Sequence, residues 1–390
     1  MFELAIVIVL ALCVFLVSRI RVAFSLSWVG TTILGVLIVA LIAAAFVPSY
    51  GGDSIDIAAW RPVSIIGYIA VTYLPYLSFG LIPLWVVDVI WRRRNRKTPD
   101  PELQSARAKT RVTTIRSLTI AIIVIAAGVV GYGYWRALTP DINQVEFEHQ
   151  QVPEAFDGYR IALVTDLHIG PTRSSAWLQE RVDQINAQNV DLILIVGDLV
   201  DGTPEQIGDE MLPILDLHAA DGVFITTGNH EYYSNAQAWV DFWEEHGIPV
   251  LTNKAVVITR SGQSIDLIGI NDRTGRPPLA ADVAEAVATL PSAASDVTRF
   301  RLLAAHQPVQ ALAGDNLAAQ LGIDLQVSGH THGGQVWPVH YLAKLQQGVL
   351  DGVHELGGVT VVTSRGAGAW GPPVRIGAPP EIIVITLHRP

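Results

Sequence analysis

Leu26 to Val47 is a 22-residue stretch without a charged side chain, and no other feature limits the fold of this chain more tightly. At about 1.5 Å of rise per residue, a helix of that length crosses a bilayer core of about 30 Å. Val63 to Ile90 is longer, is interrupted by Pro75 and Pro83, and is expected to span with a tilt or kink; Leu118 to Trp135 is a shorter third span. Leu4 to Val17 also fits a signal-peptide core, but Glu3 stands where a basic start is expected and no small-x-small cleavage site follows. It is read as an uncleaved anchor. Residues 1–138 are therefore expected to form a membrane region with helices over 4–17, 26–47, 63–90 and 118–135. The single cysteine, Cys13, lies in the first of these, so no intrachain disulfide can form.

Charge orients the spans. Arg19 and Arg21 follow the first segment, and the linker 91–117 carries Arg92, Arg93, Arg94, Arg96, Lys97, Arg107, Lys109, Arg111 and Arg116. Excess Lys and Arg mark cytoplasmic loops, whereas Tyr50 to Arg61 has Asp53 and Asp56 against one arginine and faces out. Everything after Trp135 is then expected outside the cytoplasm, at the plasma membrane. The basic linker is read as a topology determinant, with contact to anionic membrane lipids as the alternative. Asp88 sits close to Arg92 and is expected to pair at the interface; the spans lack the run of intramembrane charges that a transporter needs. Residues 1–139 carry a net charge of +7 and residues 140–390 a net −17, which excludes nucleic acid as a partner of the outer half.

From Asp141 onward, short strands alternate with helical stretches, the pattern of an α/β fold. Residues 139–157 read as a linker and an exposed edge strand around Val145 and Phe147, and 158–390 as one domain. Ile161 to Thr165, Leu192 to Val196, Val223 to Thr227, Phe300 to Ala305 and Ile323 to Val327 are strand-like, and each runs into a possible metal ligand. In order these are Asp166 and His168, Asp198, Asn229, His306, then His330 and His332. Asp-x-His and His-x-His place both side chains on one side if the strand alternation continues through them. Any one pair is weak evidence, since aspartate and glycine are ordinary turn residues. Five strand ends together are not, because open α/β folds gather ligands at the carboxyl ends of their strands.

These residues carry a resemblance. Asp166-Leu-His168, Gly197-Asp198-Leu-Val-Asp201, Gly228-Asn229-His230-Glu231, His306 and Gly329-His330-Thr-His332 resemble the ordered motifs of the calcineurin-like metallophosphoesterases. The wording Ser328-Gly-His-Thr-His-Gly-Gly-Gln335, with Ser364-Arg365-Gly366 downstream, is similar to the membrane-associated branch. The resemblance implies two mixed β-sheets in an α/β/β/α sandwich over roughly 158–387. It also implies two divalent transition metals, drawn from Mn, Fe, Zn or Ni, which suit mixed N/O donors better than calcium does. Asp198 would bridge them; Asp166, His168 and His332 would complete one metal, and Asn229, His306 and His330 the other. His230 is cast as general acid or transition-state stabiliser rather than ligand. Purple acid phosphatases have tyrosine where Asp201 stands, so an Fe(III)-tyrosinate site is not expected.

The function expected is hydrolysis of a phosphomonoester or phosphodiester by metal-bound hydroxide, since two metals about 3.5–4 Å apart supply the nucleophile and neutralise developing charge. The location favours a lipid-linked or envelope-derived substrate. A non-catalytic metal-binding receptor or scaffold with the same fold is the competing reading, though it has no need of the full donor set. Asp201 and Glu231 are candidates to orient neighbouring imidazoles, and Arg365 a candidate phosphate ligand. His149, His218, His246, His340, His354 and His388 are read as ordinary, and Trp177, Trp239 and Trp243 as packing.

Overall fold

The computed structural model describes residues 2–50, 55–291 and 299–390, and divides into two compact units. Asp53, used in reading the topology, lies outside the described residues. The first unit, residues 1–50 and 62–135, is helical. Its helices belong to Phe2–Phe24, Trp28–Tyr50, Ile57–Asn95 and Pro101–Arg136. Among the described residues, three helices are long and apolar enough to cross a membrane: Trp28–Pro48, Ile57–Asn95 and Pro101–Arg136. Residues 4–17 lie within the first helix. Most of 91–117, expected as a linker, is helical instead, because both flanking helices run past their apolar stretches and leave only a short turn around Pro99. Asp88 pairs with Arg92 at 2.8 Å and Arg111 at 2.6 Å, so its charge is neutralised inside the unit.

The second unit carries two mixed sheets. The first sheet is ordered β1-β11-β2-β3-β4, from Asp141–Glu148, Glu381–His388, Tyr159–Val164, Leu192–Val196 and Val223–Thr226. The second is β5-β6-β7-β8-β10-β9, from Lys254–Arg260, Gln263–Gly269, Arg301–Ala304, Leu325–Ser328, Val359–Thr363 and Gly352–Leu356. Within them β2, β3 and β4 run parallel, as do β6, β7, β8 and β10. β1 stands at one end of its sheet, but Phe147, expected on an exposed edge, is buried in the layer between the sheets because its side chain faces the second sheet.

Side-chain alternation explains why the sheets stack. In β2, Ala162 and Val164 join a core with the helices Ser175–Asn186, Pro204–Met211 and Ala236–Glu245, while Ile161 and Leu163 face the other way. The opposite-facing set meets Leu267, Leu302 and Val327 from the second sheet, making the buried layer between the sheets. Leu303 and Ala305 point outward again, into a core with Val283–Ala288 and Ala313–Gln320. Every strand buried on both faces is therefore a near-continuous apolar run, and the result is an α/β/β/α sandwich. Trp239 and Trp243 are fully buried in the first helical layer, and Trp177 packs against Arg173 and Arg181, so all three tryptophans are packing residues.

Candidate metal centre

The loops after β2, β3, β4, β7 and β8 bring all seven candidate ligands to one end of the sandwich. They do so by a route other than strand alternation. β2 stops at Val164 and β8 at Ser328, and the residues beyond turn sharply. Asp166, His168, Asp198, His330 and His332 all have left-handed backbones, with φ of 57°, 49°, 55°, 69° and 50°. L-residues avoid that region at a cost of about 1 kcal/mol or more each, which the surrounding contacts must offset. Glycine makes the turns possible. A Cβ on Gly228 would collide with the Asp198 carboxylate, and one on Gly329 with that of Asp166.

Three donor groups result, each within 4.8 Å: Asp166, His168 and His332; Asp198, His306 and His330; and His168, Asp198 and His230. His330 and His332 thus separate into different groups. His332 Nε2 lies 3.3 Å from Asp166 Oδ1 and 3.2 Å from His168 Nε2, while His306 Nε2 lies 3.2 Å from Asp198 Oδ2. Asp198 also approaches His168 Nε2 at 3.8 Å, which makes it the carboxylate common to both sides of the cluster.

Hydrogen bonds fix which ring nitrogens are free. His168 Nδ1 donates to Asp201 Oδ1 at 3.0 Å, and His306 Nδ1 donates to the Val196 carbonyl at 2.8 Å. Both rings therefore turn Nε2 inward, toward the cluster. Asn229 Oδ1 is buried without a hydrogen-bond partner, the condition of a donor atom whose partner is a cation. The electrostatics agree. Burial opposes ionisation of Asp198, yet the His306 and His230 rings hold its carboxyl well below the usual range. Burial would likewise push His306 down, but Asp198 holds it well above an ordinary imidazole. In effect the cavity retains positive charge on the ring, and a metal would take that proton's place. The residues present fit a pair of divalent transition metals.

His230 differs from the others. Its Nδ1 donates to Asp201 Oδ1 at 2.6 Å, its ring meets His168 edge-on with centroids 4.5 Å apart, and its side chain stays 15% exposed to the cavity. Burial pulls its pKa down, but Asp198 and Asp201 outweigh that and hold it up to about 9. Asp201 thus anchors both His168 and His230. Glu231 does not orient an imidazole; its carboxylate accepts the backbone N–H groups of Asp198 at 3.0 Å, Leu199 at 2.8 Å and Gly228 at 2.6 Å. It ties the loop after β3 to the loop after β4. Arg365 is engaged by Glu381 and Asp351 rather than free for phosphate.

One residue of the site had no motif to mark it. Arg375 is buried at 1% exposure and donates to the carbonyls of His332 at 2.6 Å, Gly368 at 3.0 Å and Arg365 at 2.8 Å, with Nη2 3.1 Å from His332 Nδ1. The one signal was its setting, a lone charge between Val374 and Ile376. Gln335, at the end of the double-histidine stretch, exchanges hydrogen bonds with the backbone of Trp370 at 2.8 and 2.9 Å.

A two-sheet sandwich with carboxylates and imidazoles gathered at its strand ends is the arrangement of the metallophosphoesterase fold. The family model for calcineurin-like phosphoesterases matches residues 159–334. An uncharacterized metallophosphoesterase of Campylobacter jejuni is 32% identical over 292 residues, covering 73% of this chain and 74% of that protein. A transmembrane protein with metallophosphoesterase domain from Danio rerio is 32% identical over 281 residues, covering 70% of this chain and 63% of that protein, so the match spans less than two thirds of that relative. Among solved structures, a dimetal phosphatase from Danio rerio is similar at 13% identity and a TM-score of 0.37, covering 59% of this chain and 99% of the other. The chain belongs to the calcineurin-like metallophosphoesterase family.

Proposed function

We propose that this protein is a membrane-anchored, binuclear metal-dependent phosphohydrolase whose catalytic domain works on the extracytoplasmic side of the plasma membrane, on a phosphoester held in or near the envelope. The observation that carries the reading is the sharing of Asp198 between two donor groups, with His306 Nε2 3.2 Å from it and Asn229 Oδ1 buried and unpartnered beside it. Asp166, His168 and His332 would hold one ion with Asp198; Asn229, His306 and His330 would hold the other. Metals bound there supply a nucleophilic water at neutral pH and offset the charge that builds on phosphorus.

The chain's own residues do the rest. Asn229 orients a phosphoryl oxygen. Asp201 keeps the His230 proton on Nδ1, so that Nε2 faces the cavity and, as the imidazolium, protonates the departing alcohol oxygen. Support for the orientation comes from the arginines at 92–94 and 96, opposite in sign to the acidic outer half.

Metal content of the purified full chain, measured beside turnover of aryl phosphomonoesters and phosphodiesters, tests the function. Asp198→Asn should lose metal and activity together, while His230→Ala keeps metal and loses rate. Stoichiometric metal with no turnover of any phosphoester would favour a binding protein and reject the enzyme. For topology, a reporter fused after Pro390 should be active only outside the cytoplasm.

A further inference from the structure

The donor cluster opens into a cavity of about 310 Å³ whose two sides differ in chemistry. One side is the metal end: Asp198, Asn229, His230, His330 and His332. Away from it the lining is mainly apolar, Val339, Leu342, Ala343 and Trp370, with Gln346 and Gln347 beside them. Three of those four are also exposed, Val339 at 44%, Leu342 at 68% and Trp370 at 58%. The exposed apolar surface continues along the helix His340–Gln347 through Tyr341 and Leu345, the latter 84% exposed, and back to Trp337. Leu342 and Leu345 stand three residues apart and so share a face with Tyr341. Contiguous apolar surface beside a polar site marks a surface meant to be covered.

Several observations say what covers it. The wall is continuous with the metal end through one cavity, so its occupant is attached to the reacting group rather than bound elsewhere. Its polar anchor is built in, because Gln335 of the double-histidine stretch fixes the Trp370 backbone from both sides and holds the wall at a set distance from His332. Only four residues, 137–140, separate the apolar helix Pro101–Arg136 from β1, a reach of roughly 14 Å when extended, which confines this domain to the neighbourhood of any bilayer that the helix crosses. On the far side of Asn229, Tyr233 and His330, a second cavity of about 500 Å³ is lined by Arg273, Thr274 and Arg276 instead. Apolar on one flank and basic on the other, the site is polarised along the direction in which a substrate would lie.

We propose that the substrate is an amphiphilic phosphoester whose alkyl or acyl chain lies on the Val339, Leu342, Ala343 and Trp370 wall while its polar end points toward Arg273 and Arg276. The assignment rests on the phosphohydrolase reading for the reacting group, but the wall itself acts through binding. Each methylene laid on an apolar wall gains roughly two- to fourfold in affinity, depending on how much of it leaves water. A chain lengthened from methyl to hexyl should therefore bind at least about 30-fold more tightly.

The test uses the detergent-solubilised, Mn2+-loaded full chain and two homologous series held below their aggregation limits: alkylphosphonates for binding, and 4-nitrophenyl alkyl phosphodiesters for turnover. Affinity and kcat/KM are expected to climb with chain length in the wild type, and to climb much less in Leu342→Asp and in Trp370→Ala. Leu342 is exposed enough for the first change to fold, and the second keeps the proposal testable if it does not. Arg276→Ala should weaken phosphonates bearing a second anionic group more than those without one. A flat chain-length profile in wild type, an unchanged slope in both wall variants, or no phosphonate binding at any length would overturn the proposal. A chain-dependent gain in binding with no hydrolysis of any ester would uphold the wall and overturn the enzyme reading, so the two failures are told apart.

Discussion

Asp201→Asn tests the proton-transfer role of His230, with metal content followed in parallel because the same carboxylate also holds His168. The substitution keeps the side-chain volume and one oxygen acceptor but removes the charge that holds His230 Nδ1 at 2.6 Å and His168 Nδ1 at 3.0 Å. With Asp198 and Asp201 facing it, and against the opposing effect of burial, His230 is held up to about 9. Loss of one adjacent carboxylate lowers a pKa by about 1–3 units. A drop of about two units takes the imidazolium fraction at pH 8 from roughly nine tenths to roughly one tenth, a tenfold loss of the acid form. Bound dications lower both values alike, so the comparison is between variant and wild type rather than absolute. The loss should fall on esters with poor leaving groups. Alkyl phosphoesters need a proton at the departing oxygen and should slow by about tenfold or more, bounded by the 10²–10⁴ typical of general acid catalysis. 4-Nitrophenyl esters leave unaided and should slow far less. The assay is kcat against leaving-group pKa at pH 8, with metal content measured in parallel. Equal slowing of alkyl and nitrophenyl esters at full metal occupancy would refute the role given to His230.

Four further outcomes follow from the contacts around the centre. Arg375→Met removes donors from four backbone carbonyls that hold the His332 loop, so metal affinity should fall about 10–100-fold while Arg375→Lys recovers part of it, as read by competition with a chelating dye. In the metal-free protein, the raised His230 pKa contributes stability that is complete below about 6.5 and lost as pH rises toward about 9; the contribution is about 3 kcal/mol at most, and thermal midpoints between pH 6 and 10 should fall in the wild type and stay flatter in Asp201→Asn. Chelation should leave the sheets folded, because Glu231 and Arg375 hold the ligand loops without metal, and should lower the midpoint by only the binding term; loss of β-sheet circular dichroism on chelation would contradict this. Leu194→Ala in the layer between the sheets should cost about 2–5 kcal/mol by denaturant titration without altering metal content.

What could be read from the sequence was what lies along β-strands buried on both faces and immediately beyond them. Leu192 to Val196 is apolar at every position, and such a run permits few alternatives once Gly197-Asp198 ends it. β5 and β9 carry little sequence signal for the converse reason. β9 is exposed at most positions and β5 only half-buried, so neither shows a clean apolar alternation. The helix His340–Gln347 was missed because it turns Leu342 and Leu345 toward solvent, contrary to the pattern that marks a core helix. Arg375 could not be found from spacing, since its partners are backbone carbonyls that carry no residue signature.

The two histidines of Gly329-His-Thr-His332 sit on a backbone that strand alternation does not describe. Alternation along a strand would have pointed both rings the same way, toward one ion. The left-handed turns at 330 and 332 instead send His332 to Asp166 and His168, and His330 to Asp198 and His306. Such a backbone is uphill at each residue, and the same cost recurs at Asp166, His168 and Asp198. The offset comes from contacts that are themselves buried and charged: His330 N–H donates to Asp166 Oδ2 at 3.0 Å, His230 N–H to Asp198 Oδ1 at 2.8 Å, and Glu231 and Arg375 clamp the neighbouring loops. Each ligand carboxylate thus accepts a backbone N–H from a different loop, so the strained turns hold one another in place. A loop that must be held in this way has little freedom to relax when an ion leaves. The candidate centre is preorganised by its own backbone, so a metal bound there would not have to fold the loops that hold it.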